Sequence, residues 1–276
     1  MKPYRGWLTN PERKERQQKS LAFNENDVQE LINQIENMPN YISKSLGPEI
    51  DNLLRLRDKA LISVGWTFFK RGSEILGVKR GEVSLDEKYI RIKFHIKKKS
   101  KRFKICPTCL LKGKEVRSGY KSNFCRECKT DLQDVEIQGT NKEFTATKRM
   151  TLRYKFIRYI VDWLKTFDEL TENLGIKDNS EAWFFPSLQV SFNTGWLLFF
   201  KDKQMSVQNL DHILQKLDPT ITSSFFRYFR TEELLDRGYL PHELKQVGDW
   251  ANSFMPELYA ARKGLTPILQ KFGEDR

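Results

Sequence analysis

No apolar run in this sequence approaches the roughly 20 residues needed to cross a bilayer. The longest, Trp196–Phe200, stops at Lys201. The first residues are polar and basic, without the apolar stretch of a secretory signal, so the protein is expected to be cytoplasmic with no membrane partner. Cysteine is scarce, at four residues in 276. In a reducing compartment four thiols point to a metal rather than to disulfides. Histidine is scarcer still, and His95, His212 and His242 read as surface or strand residues. Acidic residues are outnumbered, 36 against 48 Lys and Arg, for a net charge of +12. Internal repeats and low-complexity tracts are absent.

The apolar fraction of 39% and aromatic fraction of 12% support a sizeable core, in one large domain or two modest ones, and exclude disorder throughout. Positive charge recurs along the chain, at Arg13–Lys19, Lys97–Lys104, Lys142–Arg149 and Phe226–Arg230. Cations spread over a folded protein call for a polyanion, most commonly nucleic acid; the plain alternative is a basic protein that binds nothing specific.

Hydrophobic periodicity predicts a mainly helical α+β chain. Residues 1–22 are basic and aperiodic, and read as a flexible arm. Asn24 caps a helix with Val28, Leu31, Ile32 and Ile35 on one face. A second helix, about Glu49 to Phe69, buries a stripe of Leu54, Ala60, Leu61, Val64 and Phe68, and another helix starts near Ser73. Ile90, Ile92, Phe94 and Ile96 alternate with polar residues as in a half-exposed strand, and a second strand is expected near Phe144–Leu152. Helical spacing resumes at Phe156, and the remainder reads as mainly helical.

Cys106-Pro-Thr-Cys109 and Cys125-Arg-Glu-Cys128 are two C-x-x-C pairs with fifteen residues between them. Each can turn tightly enough to aim two thiolates at one point, and two such turns close a tetrahedral four-sulfur zinc site. Four protein ligands leave no open position for substrate, so the zinc is expected to be structural. The module, 104–131, is ringed by Lys112, Lys114, Arg117, Lys121, Arg126 and Lys129; it either touches the phosphates of a nucleic acid or only braces the strands beside it, with its lysines solvated.

Three further segments carry a family resemblance. Gly65-Trp-Thr-Phe-Phe-Lys-Arg71-Gly-Ser-Glu74-Ile-Leu places an arginine just ahead of a short helix start. Phe226-Arg227-Tyr-Phe-Arg-Thr-Glu-Glu-Leu234-Leu235-Asp-Arg-Gly238 places an arginine seven residues before a Leu-Leu pair. Gly248-Asp249-Trp250-Ala-Asn-Ser-Phe-Met-Pro-Glu-Leu-Tyr259 ends on a tyrosine about ten residues after a glycine. In order and spacing these resemble the boxes of tyrosine recombinases, the phage-type integrase family, with an ending similar to that of archaeal members. Trp183–Ser187 and Met205–Asn209 lie where such enzymes carry similar segments. The resemblance spans about Asn24 to Gly264 apart from the cysteine module.

It implies a catalytic domain at 23–264 with a small antiparallel sheet, the ribbon inserted, and a C-terminal tail at 265–276. It also implies site-specific cutting and rejoining of duplex DNA for a mobile element or virus. Tyr259 would attack the phosphodiester and leave a covalent 3′-phosphotyrosine, and Arg71 and Arg227 would fork onto the charge that builds on the phosphate. A lysine from a strand turn would protonate the leaving oxygen, with Lys101 and Lys142 as candidates and Lys148-Arg149 resembling the end of that segment. Neither ATP nor a catalytic metal is expected. Four protomers would assemble on DNA from a monomer or weak oligomer. Family members carry a helical DNA-binding domain ahead of the catalytic one, where this chain shows only the basic arm.

Two positions depart from the pattern. A His or Lys normally precedes the second arginine by three residues, and Ser224 stands there; the later His or Trp position holds Asp249, followed by Trp250. Ser224 can hydrogen-bond a phosphate, and Trp250 has an indole N–H to offer. Asp249 would repel the phosphate unless protonated or turned onto an arginine. Two other readings therefore stand beside the recombinase: a decayed recombinase fold that only binds DNA, and a zinc-ribbon transcription or replication factor.

Overall fold

The structure is a computed structural model, and it describes residues 23–39, 41, 47–98, 103–138, 142–190, 197–250 and 254–262. The arm at 1–22, Lys101 and the tail at 265–276 lie outside the described residues. By backbone contacts the chain divides into two compact units, one made of Met1–Phe94 with Thr147–Arg276 and the other of His95–Ala146.

The larger unit is built around a helix that is buried on every side. Helix α1, Glu25–Asn37, starts where the Asn24 side chain accepts from the Asn26 N–H at 2.8 Å and Asp27 accepts from the Asn24 N–H at 2.7 Å. Helix α2, Pro48–Phe68, takes Pro at its first turn, where a missing N–H costs nothing. A single buried stripe was expected along α2. Instead every residue from Arg57 to Phe68 is buried. The cause is tertiary: α1, α5 (Ile157–Asn173) and α7 (Phe225–Asp236) all pack against it. Trp66, Trp163, Phe167, Phe184, Phe185 and Phe226 fill the core between them. Trp163 stacks on Phe185 and donates its indole N–H to the Phe184 carbonyl at 2.9 Å, so the ring buries no unpaired donor.

Phe69 ends α2 in the left-handed region, at φ 53°, and the chain turns at once into the short helix α3, Gly72–Leu76. After a 3₁₀ turn at Arg80–Glu82 comes an antiparallel sheet of β1 (Val83–Leu85), β2 (Tyr89–Lys98) and, later in the chain, β5 (Lys142–Thr151), in the order β1-β2-β5. Asp86 makes the first turn by accepting from the Lys88 and Tyr89 N–H groups. Ile90, Ile92, Phe94 and Ile96 are all essentially fully buried, as their alternation predicts. The smaller unit takes in the end of β2, the start of β5 and the chain between them. It holds a hairpin of β3 (Phe103–Ile105) and β4 (Arg117–Gly119) and a single helical turn, α4, Pro107–Leu111.

The expectation of helix throughout the remainder needs one correction. β6 (Pro186–Val190) and β7 (Leu197–Gln204) form an antiparallel hairpin. Its second strand opens on the uninterrupted apolar run Leu197–Phe200, which periodicity alone cannot separate from a buried helix. Helices α6 (Val207–Leu217), α7, α8 (Pro241–Val247) and α9 (Phe254–Arg262) complete the unit. Among the described residues no helix is long and apolar enough to cross a membrane.

An ionic network ties the start of α1 to α7. Arg230 lies 6% exposed over the Trp66 ring and pairs with Glu233 and, at 3.2 Å, with Glu25; Arg237 reaches both carboxylates from the exposed side. Removing the cation strands two carboxylates with only partly exposed partners. Arg230→Met is expected to destabilise the protein by ~3 kcal/mol, and replacing Arg230 and Glu233 together by apolar residues to cost much less. Urea unfolding of both variants checks this, and a single-variant loss below about 1 kcal/mol would show the network to be idle.

Candidate active site and metal centre

Two arginines meet through one buried carboxylate. Arg71 sits at the start of α3, where its backbone N–H and its guanidinium both donate to Glu74, at 3.1 and 2.8 Å. Glu74, 3% exposed, also lies 3.5 Å from the Arg227 guanidinium. Arg227, on α7, is 6% exposed. One arm donates to the Gly248 carbonyl, and its guanidinium lies 4.2 Å from the centre of the Trp250 ring. Its Nε–H is buried with no protein acceptor. Burial first, and then repulsion from Arg71, push the Arg227 pKa down to about 10. It therefore stays charged at neutral pH.

A second carboxylate gathers two lysines. Asp249 closes the turn after α8 in the left-handed region, at φ 52°, which Asp tolerates better than most residues. Gly248 before it lets the Trp250 ring pack against the backbone: a Cβ there would fall 1.9 Å from that ring and force it to move. The Asp249 carboxylate accepts from Lys70 on one oxygen and from Lys148, on β5, at 2.8 Å on the other. Lys148 also donates to the Gln246 carbonyl at 3.2 Å. Lys70 is completely buried, with its ammonium 5.0 Å from the Phe94 ring centre. Burial pulls the Lys70 pKa below its ordinary value despite the Asp249 bond. Burial works against ionising Asp249 too, but the hydrogen bonds from Lys148 and Lys70 outweigh it and hold the pKa below the usual carboxylate value. The sequence left two ways for Asp249 to avoid repelling an anion, protonation or a turn onto an arginine. It takes neither, and is ionised between two lysines.

Tyr259 comes from α9. It is 2% exposed and meets Tyr228 edge-on at 5.2 Å in a small apolar cluster with Phe69, Leu234, Leu235 and Leu244. That cluster anchors α9 on α7 and α8. Arg71, Ser223, Ser224, Arg227, Trp250 and Tyr259 together line one cleft of about 340 Å³. Five residues that the sequence singled out, separated by up to 188 positions, thus share a cavity large enough for a phosphate. Ser224 is exposed and its hydroxyl lies 3.0 Å from that of Thr222. Trp250 contributes its ring face to Arg227. Of the lysine candidates, Lys142 opens β5 and Lys101 is outside the described residues. The lysines that the structure brings onto Asp249, just ahead of Trp250, are Lys70 and Lys148. Lys70 had no sequence signal, because it sits inside a helix-ending apolar segment. Glu74 had one, its fixed distance of three residues from Arg71.

The four cysteines form a separate centre in the smaller unit. Their sulfurs all lie within 4.8 Å of one another, with Cys106–Cys128 and Cys109–Cys128 at 3.4 Å and Cys109–Cys125 at 3.8 Å. An ion with thiolate bonds of ~2.3 Å in a tetrahedron needs sulfurs about 3.8 Å apart, so the donor set fits a single metal ion. Hydrogen bonds from the Thr130 hydroxyl and N–H pull the Cys128 thiol down to about 6, which favours the ligating thiolate. Cys106, Cys109 and Cys125, with Val116 and Leu132, are the core of this unit.

The Asp249 linkage has a definite sign. Its folded pKa is depressed, so its contribution to stability is complete above the unfolded Asp value of about 3.9 and is lost as pH falls through the lower folded value. Asp249→Asn is expected to melt lower than the parent at pH 7, and the gap to close as the pH drops below about 4. Thermal unfolding across pH measures it, and a gap that stays constant would contradict the ion-pair account.

No family profile and no curated protein sequence matches this chain. Among solved structures the backbone is similar to XerH site-specific recombinase bound to palindromic difH substrate in a post-cleavage complex, with a TM-score of 0.49, 11% identity, and coverage of 87% of this chain and 49% of that one. It is also similar to XerH bound to difH substrate in a pre-cleavage complex, with a TM-score of 0.49, 11% identity, and coverage of 86% and 49%. The chain thus spans about half the length of these proteins, and at 11% identity the likeness is one of backbone arrangement alone.

Proposed function

We propose that this chain is a DNA strand transferase of the tyrosine-recombinase type, in which Tyr259 cuts and rejoins one strand of a duplex at a time. The observation that carries this reading is the shared cleft of Arg71, Arg227 and Tyr259. The Tyr259 oxygen forms a bond to phosphorus and gives up its proton, the bond from phosphorus to the 5′ oxygen breaks, and that oxygen leaves as a hydroxyl. The energy of the broken ester is retained in the 3′-phosphotyrosine, so rejoining needs no ATP. Arg227, with an unpartnered buried N–H, and Arg71, half exposed on the cleft, hold the charge that develops on the non-bridging oxygens. Lys148 is the lysine assigned to protonate the leaving oxygen, since it pairs with Asp249, next in sequence to the Gly248 whose carbonyl takes an Arg227 N–H, while Lys70 is sealed inside the protein. Lys101 and Lys142 remain the sequence-derived alternatives for that proton. The division into an arm at 1–22, a catalytic domain at 23–264 and a tail at 265–276 belongs to the same reading, as do a tetramer on DNA, a mobile-element or viral role and an archaeal-like origin.

The cysteine centre is assigned zinc, in a structural role: Cys106, Cys109, Cys125 and Cys128 would hold it with no position left for substrate. One zinc per chain is expected by metal analysis. Cys125→Ser should abolish it and unfold the His95–Ala146 unit, which has little other core.

A second reading has its own support. Tyr259 is almost wholly buried, and Asp249 places a carboxylate among the cations of the site. Both suit a protein that holds DNA without cutting it. A suicide duplex separates the two. The transferase should yield a covalent adduct that Tyr259→Phe abolishes and that Arg227→Ala slows by about 10²–10³-fold. DNA binding with no adduct on a cognate site would leave the binding role alone.

A further inference from the structure

The unit His95–Ala146 is 52 residues long and contains thirteen Lys and Arg against six Asp and Glu. A surplus of seven, out of +12 for the whole chain, therefore sits in under a fifth of its length. Four thiolates and one divalent ion subtract about two charges and leave the unit strongly cationic.

The charge is presented to solvent and is poorly neutralised. Lys112, Lys114, Arg117, Lys121, Arg126 and Lys129 are all exposed. Lys114 pairs with Glu127 at 3.3 Å and Arg117 with Glu115 at 2.5 Å. The other four have no carboxylate partner among the described residues. A solvated face would explain charge alone, but this unit also exposes apolar side chains. Leu111 is 90% exposed, Phe124 57% and Leu110 54%, and Tyr120 and Ile137 are open as well. Of the twelve exposed large hydrophobics among the described residues, six lie in this unit. Its interior is taken up by the cysteines, Val116 and Leu132, which leaves the larger apolar groups outside.

Unpaired cations interleaved with exposed aromatic and aliphatic tips match the chemistry of duplex DNA. Cations displace counterions from phosphates, and apolar tips insert at base steps in the minor groove. A protein partner fits less well, because protein interfaces deplete lysine at their centres and here lysine predominates.

We propose that the His95–Ala146 unit is a DNA-binding surface in its own right, gripping the duplex independently of the Arg71–Arg227–Tyr259 cleft. This rests on the reading of the chain as a protein that acts on DNA. The test uses the full-length, metal-loaded protein and a labelled mixed-sequence duplex titrated at several salt concentrations. One variant combines Lys112→Gln, Lys121→Gln and Arg126→Gln. A charge-matched control combines Lys88→Gln, Lys165→Gln and Lys177→Gln on exposed positions of the larger unit. Metal content and melting temperature establish that each variant is folded.

The ribbon variant is expected to bind about tenfold or more weakly at ~0.1 M salt, and to lower the slope of log affinity against log salt by about 2 to 3, near 0.9 per phosphate lost. The control should keep the slope. Leu111→Ser with Phe124→Ser should weaken binding and leave the slope unchanged. Equal losses in the ribbon variant and the control would reduce the effect to net charge and overturn the proposal. Unchanged binding in both ribbon variants would also overturn it, and would assign the exposed apolar groups to a protein contact. Adduct formation on a saturating suicide duplex keeps the two ideas apart. An intact Tyr259 adduct with unaltered ribbon-variant binding sinks only this inference. Ribbon-dependent binding with no adduct sinks only the transferase.

Discussion

Four cations crowd one corner of the larger unit, and two carboxylates keep them there. Lys70, Arg71, Lys148 and Arg227 would repel one another in a partly dry environment, where unit charges interact far more strongly than in water. Glu74 bridges the two arginines and Asp249 bridges the two lysines. The backbone is shaped around these contacts. Phe69 and Asp249 both adopt left-handed conformations, one to turn α2 into α3 and the other to bring its carboxylate onto Lys70 and Lys148. Gly248 is pressed under Trp250, and Trp250 under Arg227. Without the carboxylates the α2–α3 junction, β5 and α7 would have reason to separate.

The same arrangement leaves donors to spare. Glu74 and Asp249 satisfy most of the donors but not all: the Arg227 Nε–H stays buried and unpaired, and half of the Arg71 side chain faces solvent. An entering phosphate would find donors already positioned, which is the form of electrostatic help that costs no reorganisation during reaction. Tyr259 lines the same cleft. It is delivered by α9, which is held by the apolar cluster around Leu234, Leu235 and Leu244. Leu234 and Leu235 lie on α7, the helix that also carries Arg227, so one helix supports both the arginine and the helix bearing Tyr259.

The cysteine unit follows another logic. A segment of 52 residues is marginal for folding on apolar burial alone, and three of the five side chains in its buried cluster are cysteines. An ion held by the four cysteines would stand in for much of a core, leaving the surface free for cations and exposed apolar groups.

The sequence by itself determined what depends on local spacing. The two C-x-x-C turns, the alternation of Ile90 to Ile96, the Asn24 cap and the order of Arg71, Arg227 and Tyr259 were legible because each is a short-range pattern with a fixed period or offset. It could not determine which face of α2 would be buried, because three separate helices cover it. Nor could it show that Leu197–Phe200 is a strand, because a fully apolar run has no period to read. Only the tertiary structure decided the lysines. Lys70 and Lys148 reach the site because Asp249, about a hundred or more residues further on, draws both to one carboxylate, and an ion pair between distant segments leaves no mark in the spacing of either.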